Sequence, residues 1–299
     1  MRLTILSRKE ELYSTRRLRE AAARAGCETR VLDMLGCCLV VGKDMGILYH
    51  GRRLPEQDVV IARVGRVFVD YGVSVVRQFE LTGATTLPCS NGISYVKDKF
   101  RTLQHLAQRG LPVPTTLIAR YPKKLEKLLR LVGGTPVVLK LLQGSQGIGV
   151  MLAESAEAAG SVLDTLWGLG QNILMQEFVV ESGGRDYRAF VIGGKVRASM
   201  LREARAGDFR ANVHSGGSAR ACSLDPAEEA LALKAAAALD LELCAVDFLR
   251  TSDGPAIIEV NCSPGLQAIE AATGVDLAAL IIQHALSLRR ASVASSSRT

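Results

Sequence analysis

The chain has 299 residues, 48% of them hydrophobic and 22% charged, enough for about two domains built on a packed core. Its 28 glycines, 9 prolines and 7 cysteines exclude collagen-like, mucin-like and disulfide-scaffold classes. Lysine and arginine exceed aspartate and glutamate by 7, which favours acidic partners, yet only 5% of residues are aromatic and no basic run is interleaved with them, so direct nucleic-acid binding is not expected.

From the N-terminus, residues 3–7 read as a short strand, Ser14 caps a helix running to Ala25, Gly26 stops it, and residues 29–32 form the next strand. The apolar run 3–6 is too short for a signal-peptide core, and no stretch approaches the ~18 residues of a membrane span; a cytoplasmic protein that meets no membrane is expected. Residues 47–54 form a hairpin turning at Gly51, 59–62 a strand, and 69–81 a helix ended by Gly83, so residues 1–90 make a small α/β domain. Ser90 caps one basic helix ending near Gly110, after which Pro112 and Pro114 keep the chain extended. Residues 137–141 are a strand leading into a loop with glycines at 144, 147 and 149, then come another strand, a helix over 155–169 and a buried strand over 172–178. Two strands flank Gly193-Gly194, residues 206–217 are irregular, and an alanine-rich helix spans 226–239. Residues 243–250 and 256–260 form a hairpin, 275–288 a closing amphipathic helix, and 291–299 a disordered tail. The cysteines are odd in number and lack C-x-x-C, so neither a zinc site nor a disulfide framework is expected.

The hairpin carries the chemistry. Glu259 and Asn261 are two apart on one strand and share a face. With a three-residue loop at 252–254, Asp247 lies directly across from Glu259; a two-residue loop separates them. Two carboxylates and an amide oxygen are the hard, oxygen-only ligand set that magnesium takes, phosphate and water completing its shell. Lys140 closes the apolar strand 137–139, where an ammonium can meet a phosphate held by the glycine loop, which is neither a Walker A nor a G-x-G-x-x-G sequence. Gln176-Glu177-Phe178 ends a buried strand, a place where backbone groups meet an adenine edge and an acid meets a ribose. Asp186 is a ribose or structural contact, and Arg202, Arg205 and Arg210 supply cations near the metal face. Of the histidines, only His214 neighbours this region, and no Ser-His-Asp or Cys-His arrangement stands out.

In this order the residues resemble those of the ATP-grasp carboxylate–amine ligases, and within them the RimK family of α-L-glutamate ligases. Ile5-Leu6-Ser7-Arg8, Leu12-Tyr13-Ser14, Arg77-Gln78-Phe79-Glu80, Gly147-Ile148-Gly149-Val150, Gly207-Asp208-Phe209-Arg210 and Asn261-x-Ser263-Pro264-Gly265 carry the likeness, which covers about residues 1–289. It implies a mixed α/β (α+β) ATP-grasp fold: an N-terminal Rossmann-like pre-ATP-grasp domain (1–90), and an ATP-grasp region (91–290) with a small lid at about 123–179 and a C-terminal catalytic part. ATP is then expected between the lid and the C-terminal part. Lys99 and Lys140 would touch its phosphates, Glu177 and Phe178 the adenine edge, Asp186 the ribose side, and Arg210, Ala211 and Asn212 the triphosphate. Asp247, Glu259 and Asn261 would hold two Mg2+ ions, Mn2+ being an alternative, and Arg202 and Arg210 would serve the oxyanions of an acyl phosphate and tetrahedral intermediate. The implied amine is L-glutamate or another amino acid. The implied acceptor is a C-terminal carboxylate of a ribosomal small-subunit protein or of a glutamate chain, and a homo-oligomer is expected.

Two residues depart from the family's pattern: Glu203 stands where a basic residue is expected beside Arg202, and Cys262 where a small inert one is expected. Competing readings are a related ligase acting on a carrier protein, coenzyme or peptide, and an ATP-binding regulatory module without catalysis. The intact metal set opposes the second. A nicotinamide site at the opening βαβ is discounted, because its first turn, Arg8-Lys9-Glu10-Glu11, lacks glycine. On the ligase reading, Asp247→Ala or Glu259→Ala abolishes turnover and leaves the fold intact.

Overall fold

The structure, a computed structural model, describes residues 1–120, 124–142, 149–211 and 216–296; Gly144, Gly147, Asn212 and His214 therefore lie outside the described residues. The chain opens with β1 (Arg2–Leu6), the helix α1 (Tyr13–Arg24) and β2 (Glu28–Leu32). Then follow β3 (Cys37–Val40), β4 (Gly46–Tyr49), β5 (Arg52–Arg53), β6 (Val59–Ala62), α2 (Val69–Leu81) and β7 (Thr85–Leu87). Four of these strands form a parallel sheet in the order β2-β1-β6-β7, while β3, β4 and β5 make a small antiparallel sheet beside it. A parallel sheet is covered on both faces, which is why β6 reads as the unbroken apolar run Val59-Val60-Ile61-Ala62.

The single basic helix expected after Ser90 is two helices, α3 (Ser90–Val96) and α4 (Lys99–Gln108). Asp98 makes the break, because its carboxylate accepts from the backbone N–H groups of Phe100 and Arg101 at 2.9 and 3.0 Å and so caps a new helix. Lys99 thereby becomes the first residue of α4. Gly92 lets α3 pass close to the chain at Asp240, since a Cβ there would lie 2.6 Å from the Asp240 carbonyl oxygen.

Next come β8 (Thr116–Ile118), α5 (Leu125–Leu131), β9 (Val137–Leu141), β10 (Val150–Ala153), α6 (Ala156–Gly168) and β11 (Ile173–Glu177). Their antiparallel sheet runs β10-β9-β11-β8, so this unit begins at Thr116, ahead of the expected 123. Strand β8 is only three residues long and too short to announce itself by alternation. One sheet face packs Val137, Leu139, Ile173 and Met175 against α5 and α6, and these residues form a core of their own.

The remaining elements are β12 (Arg185–Ile192), β13 (Lys195–Glu203), β14 (Ser218–Ala221), α7 (Pro226–Ala238), β15 (Leu243–Thr251), β16 (Gly254–Asn261), α8 (Gln267–Thr273) and α9 (Leu277–Ser296). The antiparallel order is β14-β13-β12-β15-β16. Asp225 caps α7 in a reciprocal box with Glu228. Helix α9 continues to Ser296, past the expected end at 288, so residues 291–296 of the expected disordered tail are helical, and 297–299 lie outside the described residues. Ala291, Val293 and Ala294 follow without a glycine or proline to stop the helix. Among the described residues no single helix is long and apolar enough to cross a membrane.

Candidate active site

Alternation along three neighbouring strands sends Asp186 and Arg188 of β12, Asp247 of β15, and Glu259 and Asn261 of β16 to one face of the C-terminal sheet. The register pairs Asp186 with Arg202 of β13, and Arg188 with Asp247. Arg188 grips the Asp247 carboxylate in a two-pronged pair, Nε to Oδ1 and Nη2 to Oδ2, both at 2.7 Å. Arg202 bridges the acids, its Nη2 2.8 Å from Asp247 Oδ2 and its Nε 2.5 Å from Asp186 Oδ1. Burial alone would raise Asp247, but Arg188 and Arg202 hold it down at about 2. Asp186, more dominated by burial, is raised despite Arg202. Arg188 was not among the residues singled out from the sequence; the i, i+2 spacing from Asp186 was the signal that places it here.

The hairpin reaches its geometry by an unexpected route. Its loop is the two-residue Ser252-Asp253, with Thr251 paired to Gly254, a register that would set Asp247 opposite Ile258. Gly254, at φ 110°, occupies the backbone region that the turn requires. A β-bulge at Ile258 then adds one residue to β16, so that Phe248 pairs with Ile257 and Asp247 with Glu259. The expected juxtaposition is present, made by the bulge in place of a longer loop.

The lid sheet supplies the opposing surface. Lys140 and Gln176 lie on the face away from α5 and α6, and Lys140 Nζ is 2.5 Å from Gln176 Oε1, whose Nε2 in turn donates to Thr116 Oγ1 at 2.7 Å. Burial, and next the charge of Lys99, pull Lys140 down to about 8, while Glu259, Asp186 and Asp247 pull it back up. Lys99 and Glu259 also line one small cavity with Val96, Thr102 and Leu103. The structure thus brings Lys99, Asp186, Asp247 and Glu259, expected from the sequence, within electrostatic reach of Lys140, with Arg202 joined to the two aspartates.

Beside it opens a cleft of about 740 Å3 lined by Val150, Leu152, Phe178, Asp208, Phe209 and Arg210. Its volume and mixed lining suit a nucleotide. Phe178 meets Phe209 edge-on, ring centroids 6.3 Å apart. Arg210 is held by Asp208, Nη2 to Oδ2 at 2.8 Å, and its donated hydrogen bond holds Asp208 down at about 2. Arg210 therefore lines this cleft, and Ala211 next to it is buried. Glu177 Oε2 accepts from Thr115 N–H at 3.1 Å, closing the strand end that leads to Phe178. Glu203 points to the face of β13 opposite Arg202 and approaches Arg220 Nε at 3.6 Å, so this departure from the family pattern falls outside the cleft. Cys262 is buried in the core.

For a metal ion, Asp247, Glu259 and Asn261 offer oxygen donors only, on one face. Among the described residues no group of three or more His, Cys, Asp or Glu stands ready to enclose a cation. The set fits a hard ion that completes its shell with phosphate and water.

A RimK-like ATP-grasp domain matches residues 96–285, and a RimK PreATP-grasp domain matches residues 1–93. The chain is 50% identical over 283 residues to the probable alpha-L-glutamate ligase of Thioalkalivibrio sulfidiphilus, covering 94% of each. To that of Marinomonas sp. it is 47% identical over 285 residues, 95% of each. The crystal structure of a RimK domain ATP-grasp protein from Sphaerobacter thermophilus matches the fold with a TM-score of 0.72 at 22% identity, over 96% of this chain and 100% of that one.

Proposed function

Since the chain belongs to the RimK-like ATP-grasp family and is therefore an ATP-dependent carboxylate–amine ligase, we propose that it adds L-glutamate to the C-terminal carboxylate of a ribosomal small-subunit protein or of a glutamate chain. The observation that carries this reading is the facing of Lys140 and Lys99 with Asp186, Asp247 and Glu259 across the cleft. Two buried or half-buried lysines that repel each other gain from a polyphosphate, and carboxylates beside them gain from the metal that accompanies it.

Phe178 and the backbone at Glu177 meet the adenine edge, and Asp186, held by Arg202 through Oδ1, serves the ribose side. Lys99 and Lys140 hold the phosphates, with Arg210, Ala211 and Asn212 along the triphosphate. Asp247, Glu259 and Asn261 would hold magnesium or manganese, which when bound neutralises phosphate charge. The γ-phosphoryl group passes to the acceptor carboxylate to give an acyl phosphate and ADP. The amine of glutamate then attacks its carbonyl carbon, and phosphate leaves with the amide formed. Arg202, its plane fixed on two edges by Asp186 and Asp247, and Arg210 supply positive charge for the oxyanions. No side chain need act as a covalent nucleophile; positioning and charge do the catalysis. The enzyme is taken as cytoplasmic and homo-oligomeric.

The test is ADP release with Mg2+ and glutamate, with and without a ribosomal small-subunit acceptor, alongside the acceptor's intact mass. Mass gains in glutamate-residue steps are expected. ADP release without them refutes the ribosomal acceptor and retains the ligase, while no release across a panel of amines overturns catalysis altogether.

A further inference from the structure

Arg63 follows β6 at the carboxyl edge of the N-terminal parallel sheet, the edge where open α/β sheets receive ligands. Its neighbours there are paired: Arg8 with Asp33 at 3.1 Å, Arg17 with Glu270 at 3.0 Å. Among the described residues Arg63 has no carboxylate partner; it donates from Nη1 to the Pro264 carbonyl oxygen at 2.8 Å and lies near the Cys262 thiol. Pro264 lies three residues beyond Asn261, at most about 10 Å of chain from the metal-ligand strand, and this cation is one hydrogen bond further. Burial draws the Arg63 guanidinium down to about 10.

A carbonyl alone does not call for a charge. Any neutral donor would satisfy it without the cost of desolvating a guanidinium, and arginine stays charged in proteins. A planar, half-buried fork that faces no carboxylate among the described residues suits a carboxylate that arrives with a ligand. The acceptor's reacting carboxylate loses its charge on becoming an amide, which would leave a cation reserved for it unpaired. The amine donor keeps its carboxylates throughout the reaction.

We propose that Arg63 binds the side-chain carboxylate of the acidic amino acid that supplies the amine, so that the N-terminal sheet edge forms the donor-specificity side of the active site. This rests on the glutamate-ligase reading. On it, the loop 262–266, held by Arg63 at Pro264 and by Ser14 Oγ accepting from Leu266 N–H at 3.0 Å, is the bridge that fixes the donor against the metal strand.

The test compares steady-state kinetics of the full-length wild type, Arg63→Gln and Arg63→Lys, varying glutamate, ATP and acceptor in turn, with glutamine as a neutral alternative amine. Arg63→Gln should raise KM for glutamate at least tenfold and leave KM for ATP within twofold. It should also narrow the preference for glutamate over glutamine, with Arg63→Lys intermediate. An unchanged KM for glutamate, or an equal rise for ATP or only for the acceptor, overturns the assignment. Thermal midpoints and ATP binding of both variants separate misfolding from lost recognition, and Arg63→Lys keeps the charge if Arg63→Gln fails to fold. If the wild type uses glutamate normally and Arg63→Gln is unaffected, only this inference fails; if the wild type turns over neutral amines and not glutamate, the glutamate reading fails with it.

Discussion

Asp247 is at once a candidate metal ligand and the anchor of two arginines, and these roles separate by substitution. Removing its carboxylate leaves Arg188 buried without its counter-charge and Arg202 with Asp186 alone, a loss of about 3–5 kcal/mol. Asp247→Ala should therefore lower the urea midpoint markedly, contrary to the expectation that it spares the fold. Glu259→Gln keeps volume and polarity and isolates the metal role: Mg2+-dependent ADP release should fall by about a hundredfold or more, with the urea midpoint nearly unchanged. Retained turnover would remove Glu259 from the metal set. Lys140 gives a pH signature. Its folded value of about 8 lies below the ordinary 10.5, so between these values the unfolded chain binds more protons. Stability from this group accordingly rises with pH across that window, its burial penalty being complete below it. Phosphate recognition needs the ammonium, so ATP affinity measured by calorimetry should weaken as pH rises through about 8. In Lys140→Met this pH dependence should flatten, at an affinity lower by roughly tenfold.

Among the elements, Asp98 decides where Lys99 stands. Asp98→Ala should cost about 1 kcal/mol by uncapping α4 and raise KM for ATP severalfold as the first turn carrying Lys99 frays, whereas Asp98→Asn should keep both. The same cap shows why this part of the site was only partly legible. Lys99 was identified through the family likeness, but the uninterrupted basic pattern hid the break that makes it a first-turn residue. The hairpin teaches a similar lesson. Alternation placed Glu259 and Asn261 on one face, and the apolar strands around them marked an inward-facing site. The bulge at Ile258 leaves no such mark, because an inserted apolar residue in an apolar strand looks like continued strand. Arg188 was hidden for another reason: a charged residue on a strand reads as solvated until its cross-strand partner is known, and that partner, Asp247, lies 59 residues away.

At the scale of the molecule, the core is divided unequally. Two of its apolar clusters mix N-terminal residues such as Leu6, Phe79 and Leu18 with C-terminal ones such as Phe248, Leu277 and Ile281. Tyr13 and Arg17 of α1 reinforce that union by donating to Glu270 of α8 at 2.9 and 3.0 Å. The third cluster is built wholly from residues of the lid. The N- and C-terminal units are therefore fastened to each other, and the lid, with its separate core, is the part that can move against them when nucleotide fills the cleft. Binding that engages Lys140 on the lid and Glu259 on the C-terminal sheet adds a link across the one junction lacking a shared core. At a hundredfold excess over Kd, Mg-ATP should stabilise the protein by about 2.7 kcal/mol. Hydrogen exchange should slow in β9, β10 and β11, and change little where α1 meets α8. Glu259→Gln should lose both the stabilisation and the lid protection. Protection spread evenly over all three clusters would mean that the lid is no more independent than the rest of the chain.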